Sequence, residues 1–301
     1  MLTSARPVRV AVLCSRRAPG LLHLLEASVR AHVFTLVGVI TSEPECADLE
    51  PIRARNIPVV CQDIHAFYAA RSAKLTRNWE VREAYDAETV RTLHGFAPDL
   101  VLLDGYLYVL TGAVLDAFPN RVLNLHFSDL TIRHADARPM YPGIRAVRDA
   151  IVAGQSETAA TVHLVNSEPD GGPPLLRSWT FPVPALVARA RAWQATDMLK
   201  AYAYAHQEWM MREASGPLLE ATLDLVTSGR VSLDSLASQL PQSAVPWSLD
   251  ADGTLTAPTL PERDHSTIAR QRSAPRRRLV CARQRRGVPL SADVRPAERM
   301  M

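Results

Sequence analysis

At 301 residues, with 47% hydrophobic and 22% charged residues, the chain has enough apolar material for the core of one large globular domain or two small ones. No segment approaches the ~20 consecutive apolar residues of a membrane span, and the four cysteines are scattered without a CxxC pair, so neither a membrane protein nor a disulfide framework is expected. The net charge of +3 combines an acidic body with a basic tail, because residues 261–301 hold eleven arginines against four acidic residues.

Short β-type segments alternate with helical patterns through the first half of the chain. Buried strands are predicted at residues 8–14, 34–42, 57–61, 98–105 and 121–127. Helices are predicted at residues 21–31, 47–56, 84–94 and 111–118. Strands that alternate with helices form βαβ units, so we predict an α/β fold with a doubly wound, mostly parallel sheet. The first apolar run is short and resembles a strand rather than a signal peptide, which predicts a cytoplasmic protein.

The second half of the chain is predicted to be richer in helix. A helix at residues 143–153 precedes strands at 158–165 and 175–183, and a long helix at 185–212 is separated by Gly216 and Pro217 from another at 217–228. Beyond residue 232 the periodicity fades, which predicts a disordered, Arg/Pro-rich tail at 234–301 behind a main domain at 1–185 and packed helices at 186–233. The tail's arginines could bind nucleic acid by counterion release, although a solvated tail without a partner is the simpler interpretation.

Two polar side chains interrupt the fifth predicted strand. In "VLNLHFSDL", Asn124 and His126 are two residues apart, so they share one face of the strand. Ligands of open parallel sheets bind beyond the carboxyl ends of the strands, where this amide and this imidazole would meet. Asp170 follows a later strand in the Gly/Pro turn "DGGPP". Taken alone, the first feature is more simply explained as a strand-end histidine hydrogen-bonded to a loop, and the second as an ordinary turn.

Together, three segments resemble the folate-dependent formyltransferases, with a pattern similar to that of the glycinamide ribonucleotide formyltransferases. They are "VLNLHFSDL", "YPGIRAVRDAIVAGQSETAATVHLVNSEPDGGPPLL" and "FPV". Asn-x-His followed by Asp-Gly-Gly-Pro is a specific combination, and "APDLVLLDGYLYVL" is similar to a strand and loop of the family's pteridine pocket. The resemblance covers roughly residues 8–233 and makes residues 1–185 the catalytic domain of a Rossmann-like formyltransferase fold.

The resemblance implies transfer of a formyl group from 10-formyltetrahydrofolate to an amine, without a metal. Asn124, His126 and Asp170 would form the catalytic trio. Asn124 would donate to the oxyanion of the tetrahedral intermediate, a protonated His126 would add charge and supply a proton, and Asp170 would keep His126 charged. His163 would have a supporting role. The folate would contact Leu107, Tyr108, Val109, Leu110, Asn166 and Gly171.

Three departures from the family pattern concern the acceptor. The Gly-Asn-Gly-Ser-Asn loop that cradles the substrate's phosphate in the relatives is replaced by "SRRAPG", so Ser15, Arg16 and Arg17 either bind the substrate differently or are merely solvated. Thr180 stands where the relatives often have lysine. The segment at residues 129–143 is longer than in the relatives, which indicates either a surface excursion or a new acceptor-recognition loop.

These departures favour a formyltransferase that acts on a different small-molecule amine, such as an amino sugar or a precursor of a secondary metabolite. Two alternatives remain, namely phosphoribosylglycinamide formyltransferase of purine synthesis and formyltetrahydrofolate hydrolase. No membrane partner is expected, nucleic acid would engage only the basic tail, and the oligomeric state stays open.

Overall fold

A nine-stranded, mostly parallel sheet organises the computed structural model, which describes residues 6–75 and 78–259. The strands of this sheet and of a separate two-stranded ribbon are, in chain order, β1 (Val8–Cys14), β2 (Phe34–Thr41), β3 (Val59–Cys61), β4 (Leu100–Leu103), β5 (Val122–His126), β6 (Glu157–Thr158), β7 (Thr161–Leu164), β8 (Pro174–Arg177), β9 (Phe181–Pro182), β10 (Trp247–Leu249) and β11 (Leu255–Thr256). The helices are α1 (Leu21–Ala31), α2 (Glu50–Ala54, after a 3₁₀ turn at Ala47–Leu49), α3 (Ile64–Ala69), α4 (Trp79–Phe96), α5 (Gly112–Ala117), α6 (Ala146–Ala153), α7 (Ala185–Ala192), α8 (Thr196–Thr227) and α9 (Leu233–Ala237).

The strand order of the large sheet is β11-β10-β8-β7-β5-β4-β1-β2-β3, and β6 pairs with β9 in a separate ribbon. The strands from β3 to β5 run parallel, whereas β7 runs antiparallel to both β5 and β8. No helix of the described residues is long and apolar enough to cross a membrane.

Strand β1 shows how both faces of the sheet are covered. Val10 and Val12 pack into a core that includes α1 and α8, whereas Ala11 and Leu13 pack into a second core that includes α4 and α5. Successive strand residues point to opposite faces, and these four side chains are almost completely buried. The prediction of a doubly wound, mostly parallel α/β sheet is therefore confirmed.

Helix α8 differs from its prediction because it runs unbroken through Gly216 and Pro217. A proline within a helix removes one backbone hydrogen bond, yet the buried side chains of this stretch hold it against α1 and the sheet. A Cβ at Gly216 would lie 2.5 Å from Cγ of His23, so glycine allows α1 to approach α8 closely. The predicted helix at 185–212 instead divides into α7 and α8 near Gln194, whose φ of +54° interrupts it.

Several predicted boundaries in the second half shift. The strand predicted at 158–165 divides into β6 and β7, the strand at 175–183 divides into β8 and β9, and α6 begins at Ala146. Between β6 and β7, the amide of Ala160 donates to Oγ of Ser178 at 2.9 Å, and the amide of Ser178 donates to the carbonyl of Ala160 at 2.9 Å. This local pair of bonds replaces the regular ladder where the two predicted strands are interrupted.

The prediction that low order begins at residue 234 is wrong for residues 234–259. Short elements there add to the edge of the sheet, because β10 pairs with β8 in parallel and β11 folds back on β10. Leu249 is buried, and the turn between β10 and β11 closes with Asp250 donating its amide to the carbonyl of Thr254 at 2.9 Å. Residues 260–301, which carry the predicted disorder and any nucleic-acid contact, lie outside the described residues.

Candidate active site

A cavity of about 460 Å³ opens at the carboxyl ends of β4 and β5, where open α/β sheets bind ligands. Asn124 and His126 contribute to its wall from the end of β5, and Asp170 contributes from the loop between β7 and β8. Helix α8 contributes Tyr204, Gln207, Glu208 and Met211, which sequence reasoning did not identify.

The three predicted catalytic side chains meet in this cavity. Nδ2 of Asn124 donates to Oδ1 of Asp170 at 3.4 Å, and Nδ1 of His126 lies 3.6 Å from the same oxygen. Asp170 adopts a left-handed backbone conformation with φ of +54°, which is uncommon for a residue other than glycine. The amide of Gly143 donates to Oδ2 of Asp170 at 2.7 Å and holds the carboxylate in this position.

His163 orients Asn124. The two residues are paired across the antiparallel ladder of β5 and β7. Nδ1 of His163 lies 3.0 Å from the carbonyl of Leu164, which can only accept, so Nδ1 carries the proton. Nε2 is then an acceptor for Nδ2 of Asn124 at 3.1 Å. This geometry agrees with the predicted supporting role of His163 and engages both N–H groups of Asn124.

The two ring nitrogens of His126 have different surroundings. Its Nε2 lies 3.2 Å from the carbonyl of Tyr141 and donates to it, which leaves Nδ1 as the basic nitrogen. Burial lowers the pKa of His126, although the neighbouring Asp170 carboxylate acts in the opposite direction. The neutral imidazole is therefore favoured at pH 7 in the free site, whereas the resemblance implied a protonated His126 that Asp170 keeps charged.

Asp170 is ionised in this arrangement. Burial would raise the pKa of Asp170, but its polar surroundings, first His163 with Nε2 at 3.7 Å from Oδ1, then His126 and the amide of Gly143, hold it well below its usual range. The site therefore combines a carboxylate with a neutral imidazole, a pair suited to taking up and passing on a proton.

The predicted folate-binding segment lies along the cavity. Leu107, Tyr108, Val109 and Leu110 line it, as does Asn166. Gly171 does not contribute to the wall; its amide donates to the carbonyl of Glu168 at 2.9 Å, and a Cβ there would lie 2.6 Å from Cγ of Glu168. Its role is to close the turn that presents Asp170.

A buried ion pair beneath the folate-binding segment was not identified from the sequence. Nη2 of Arg82 lies 2.9 Å from Oδ1 of Asp86 and donates to the hydroxyl of Tyr106 at 2.8 Å. Oδ2 of Asp86 accepts the amide of Thr111 at 2.7 Å. The ion pair therefore forms hydrogen bonds with the residues that flank both ends of the segment at 107–110. The i, i+4 spacing of Arg82 and Asp86 in α4 was the available signal, but it did not reveal their burial.

The predicted substrate-binding residues divide into two groups. Arg16 and Arg17 line the cavity, but Nε of Arg16 lies 2.6 Å from Oε2 of Glu43, and Arg17 is paired with Glu208. Ser15 is fully buried, and its Oγ accepts the amide of Leu107 at 3.1 Å. The assignment of Ser15 to substrate binding is wrong, since its side chain lies behind the wall and supports the folate-binding segment.

The longer segment at residues 129–143 forms a small hairpin with an isolated bridge between Arg133 and Pro139. Among the described residues, its tip does not contribute to the cavity wall, and Asp136 and Arg138 pair with each other there. Its base supplies the carbonyl of Tyr141 to His126 and the amide of Gly143 to Asp170. The base of the hairpin therefore contacts His126 and Asp170, two of the three predicted catalytic residues. Within the described residues, no group of three or more His, Cys, Asp or Glu side chains is placed to hold a metal ion.

Comparisons with known proteins find related sequences. The family model described as formyl transferase matches residues 8–186. The phosphoribosylglycinamide formyltransferase of Escherichia coli K12 is 37% identical over 100 residues, which are 33% of this chain and 43% of the relative. The phosphoribosylglycinamide formyltransferase of Mycobacterium tuberculosis H37Rv is 32% identical over 180 residues, which are 60% of this chain and 73% of the relative.

Solved structures share the fold. Glycinamide ribonucleotide transformylase 1 from Symbiobacterium toebii superposes with a TM-score of 0.59 at 25% identity, over 76% of this chain and 92% of that one. A formyltetrahydrofolate deformylase from Pseudomonas syringae superposes with a TM-score of 0.56 at 20% identity, over 76% of this chain and 64% of that one, and is similar in fold alone.

Proposed function

Because this chain belongs to the formyl transferase family, we propose that it transfers the formyl group of 10-formyltetrahydrofolate to the amine of a small-molecule acceptor. The observation that carries the proposal is the convergence of Asn124, His126 and Asp170 on one wall of the cavity. An amide donor, an imidazole and a carboxylate are the groups that acyl transfer between two nitrogen atoms requires.

The chemistry follows from the free site. The acceptor amine attacks the formyl carbon, and Asn124 donates to the oxygen that becomes negative. Its contact with Asp170 is the longer of its two bonds, at 3.4 Å against 3.1 Å to His163, so that N–H is the one exchanged for the substrate oxygen. Nδ1 of His126 takes the proton that the amine loses and delivers it to N10 of the folate as the N10–formyl bond breaks. Asp170 stabilises the imidazolium during the interval.

The donor is assigned to the wall formed by residues 107–110. Leu107, Val109 and Leu110 present apolar side chains to the cavity, and Asn166 adds a polar side chain to its lining. A flat bicyclic ring that carries donors and acceptors at its edge suits an apolar slot lined by backbone groups.

The proposal is tested with the purified full chain, 10-formyltetrahydrofolate and a panel of primary amines, by measuring tetrahydrofolate release. We expect release that depends on an amine, and a loss of about 10²–10⁴-fold for His126→Ala. His134→Ala on the exposed hairpin tip is the matched control and should keep the rate. Equal turnover without an amine would instead identify a hydrolase, and failure to bind the donor would refute the proposal.

A further inference from the structure

Two carboxyl groups of the protein accept hydrogen bonds from backbone amides just before helix α1. The first amides of a helix lack partners within the helix and commonly bind phosphate groups. Here the amide of Ala18 donates to Oδ2 of Asp48 at 2.8 Å, and the amide of Gly20 donates to Oδ2 of Asp104 at 2.9 Å. Pro19 between them has no amide hydrogen. These donors are therefore already satisfied where the chain passes from β1 to α1 beside the cavity.

Displacing the carboxyl group of Asp104 from the Gly20 amide would be unfavourable. It follows β4, is fully buried and has no hydrogen-bond partner at Oδ1. Gly105, with φ of +74°, brings the next backbone so close that a Cβ there would lie 2.4 Å from the carbonyl oxygen of Arg17. A ligand that displaced Oδ2 from Gly20 would remove the one hydrogen bond within 3 Å that this buried carboxyl group makes among the described residues, which is costly.

The two arginines on the cavity wall are also satisfied. Arg16 is paired with Glu43, which is only 6% exposed and also accepts a hydrogen bond from the hydroxyl of Tyr108 at 2.9 Å. Arg17 is paired with Glu208 of α8. The wall therefore offers neither the amides of Ala18 and Gly20 as free donors nor an uncompensated guanidinium.

The charge of the wall points the same way. The lining contains two arginines, Arg16 and Arg17, and three carboxylates, namely those of Glu168, Asp170 and Glu208. Glu43, which is paired with Arg16, is a fourth carboxylate next to the wall. A dianionic phosphate would enter a region in which carboxylates outnumber guanidinium groups, and like charges disfavour binding in a partly buried site.

We propose that the acceptor of the formyl group is a phosphate-free amine that is neutral or cationic as a whole. This inference rests on the proposed formyl transfer and deepens it, because it specifies the chemical class of the acceptor. It separates the chain from its relatives that are named as phosphoribosylglycinamide formyltransferases.

The first test compares matched acceptors that differ only in a phosphate. Glycinamide riboside is compared with its 5′-phosphate, and glucosamine with glucosamine 6-phosphate, at saturating 10-formyltetrahydrofolate. We expect kcat/KM for the phosphate-free member of a reactive pair to be higher by about tenfold or more. A preference of that size for the phosphorylated member would overturn the inference while leaving formyl transfer intact.

The second test does not depend on turnover, so it decides the matter even where neither pair reacts. Ribose 5-phosphate is titrated into the full chain and its binding is followed by calorimetry. We expect a Kd weaker than about 1 mM. A tighter Kd that the double substitution Arg16→Gln and Arg17→Gln weakens would place a phosphate in the cavity and overturn the inference. Tighter binding that survives this substitution overturns the inference where a crystal structure of the complex places the phosphate at the start of α1, and agrees with it where the phosphate lies away from the cavity.

The two proposals fail in distinguishable ways. If formyl transfer is wrong, no amine in either pair stimulates tetrahydrofolate release, whatever the phosphate titration gives. If only the acceptor class is wrong, release is stimulated by the phosphorylated member, or ribose 5-phosphate binds through Arg16 and Arg17 or at the start of α1.

Discussion

Nδ1 of His126 lies 3.6 Å from Oδ1 of Asp170, while Nε2 of the same imidazole donates to the carbonyl of Tyr141 at 3.2 Å. The nitrogen that is free to take up a proton is thus the one that faces an ionised carboxylate. Burial keeps the imidazole neutral before the reaction, and the carboxylate stabilises the charged form once a proton arrives. This relationship makes His126 a proton carrier rather than a fixed positive charge.

The substitution Asp170→Asn tests this relationship. The amide keeps an oxygen for the Gly143 amide but cannot stabilise an imidazolium, so we expect kcat/KM to fall by about 10²–10⁴-fold in a folded protein that is less stable than the wild type, since the ionised carboxylate also stabilises the native state. The rate of tetrahydrofolate release measures the effect. Asp136→Asn, at the exposed hairpin tip, is the matched control. A loss below about threefold would show that Asp170 does not act on His126 during catalysis.

The pH dependence of activity and stability tests the state of His126. Because its folded pKa is lowered, the neutral form dominates at pH 7 and kcat/KM should fall only below the ordinary value of about 6.5. The unfolded chain binds the proton more readily, so the stabilisation from His126 is full above about pH 6.5 and is lost as the pH decreases.

The stability effect is measured by chemical unfolding of the wild type and His126→Gln between pH 5 and pH 8. We expect the wild type to lose unfolding free energy relative to the variant in acid, with a slope of at most about 1.4 kcal/mol per pH unit. The opposite slope would mean that the native protein prefers the imidazolium, as the sequence alone had suggested.

The convergence of Asn124, His126 and Asp170 was predictable because its signals are local. The alternation of a strand places Asn124 and His126 on one face, and a Gly/Pro turn after a strand places Asp170 at the same edge of the sheet. The polar contacts that set the acceptor site were not predictable in this way. The sheet brings Asp104 to Gly20 and α8 brings Glu208 to Arg17, and these pairs are separated by 84 and 191 residues along the chain.

The edge of the sheet was missed for a different reason. Strands β10 and β11 have three and two residues, too few for alternation to be recognised, and they depend on pairing with β8. The continuity of α8 through Pro217 was missed because packing, rather than local propensity, determines it. The lowered pKa of His126 could not be predicted because it depends on the burial of the imidazole, which no sequence pattern gives.

The buried pair beneath the folate-binding segment provides a third prediction. Arg82→Met leaves Asp86 as an uncompensated buried charge, so we expect a loss of about 3–5 kcal/mol of unfolding free energy. The segment at residues 107–110 should also lose order, which raises KM for 10-formyltetrahydrofolate more than it lowers kcat. Urea unfolding and donor titrations measure the two effects.

Arg91→Met is the matched control, because Arg91 lies in the same helix and its ion pair with Glu88 is exposed. It should change stability by no more than about 0.5 kcal/mol. A KM for the donor that is unchanged in a folded Arg82→Met protein would show that the pair serves stability alone.

Asp104 provides the last prediction, which concerns the carboxylate that closes the start of α1. Burial, followed by the charge of Asp48, raises the pKa of Asp104 to about 7, even though the amides of Gly20 and Leu21 act against it. The native state therefore keeps a proton that the unfolded chain releases near pH 4, and this contribution to stability is lost as the pH rises from about 4 to about 7. Asp104→Asn removes the titration, so wild type and variant should diverge by up to about 1.4 kcal/mol per pH unit across this window. Unfolding in urea at several pH values measures the divergence, and Asp116→Asn on the exposed face of α5 should run parallel to the wild type. Parallel curves for Asp104→Asn would mean that Asp104 is ionised throughout the window and is held by its amide partners rather than governed by its burial.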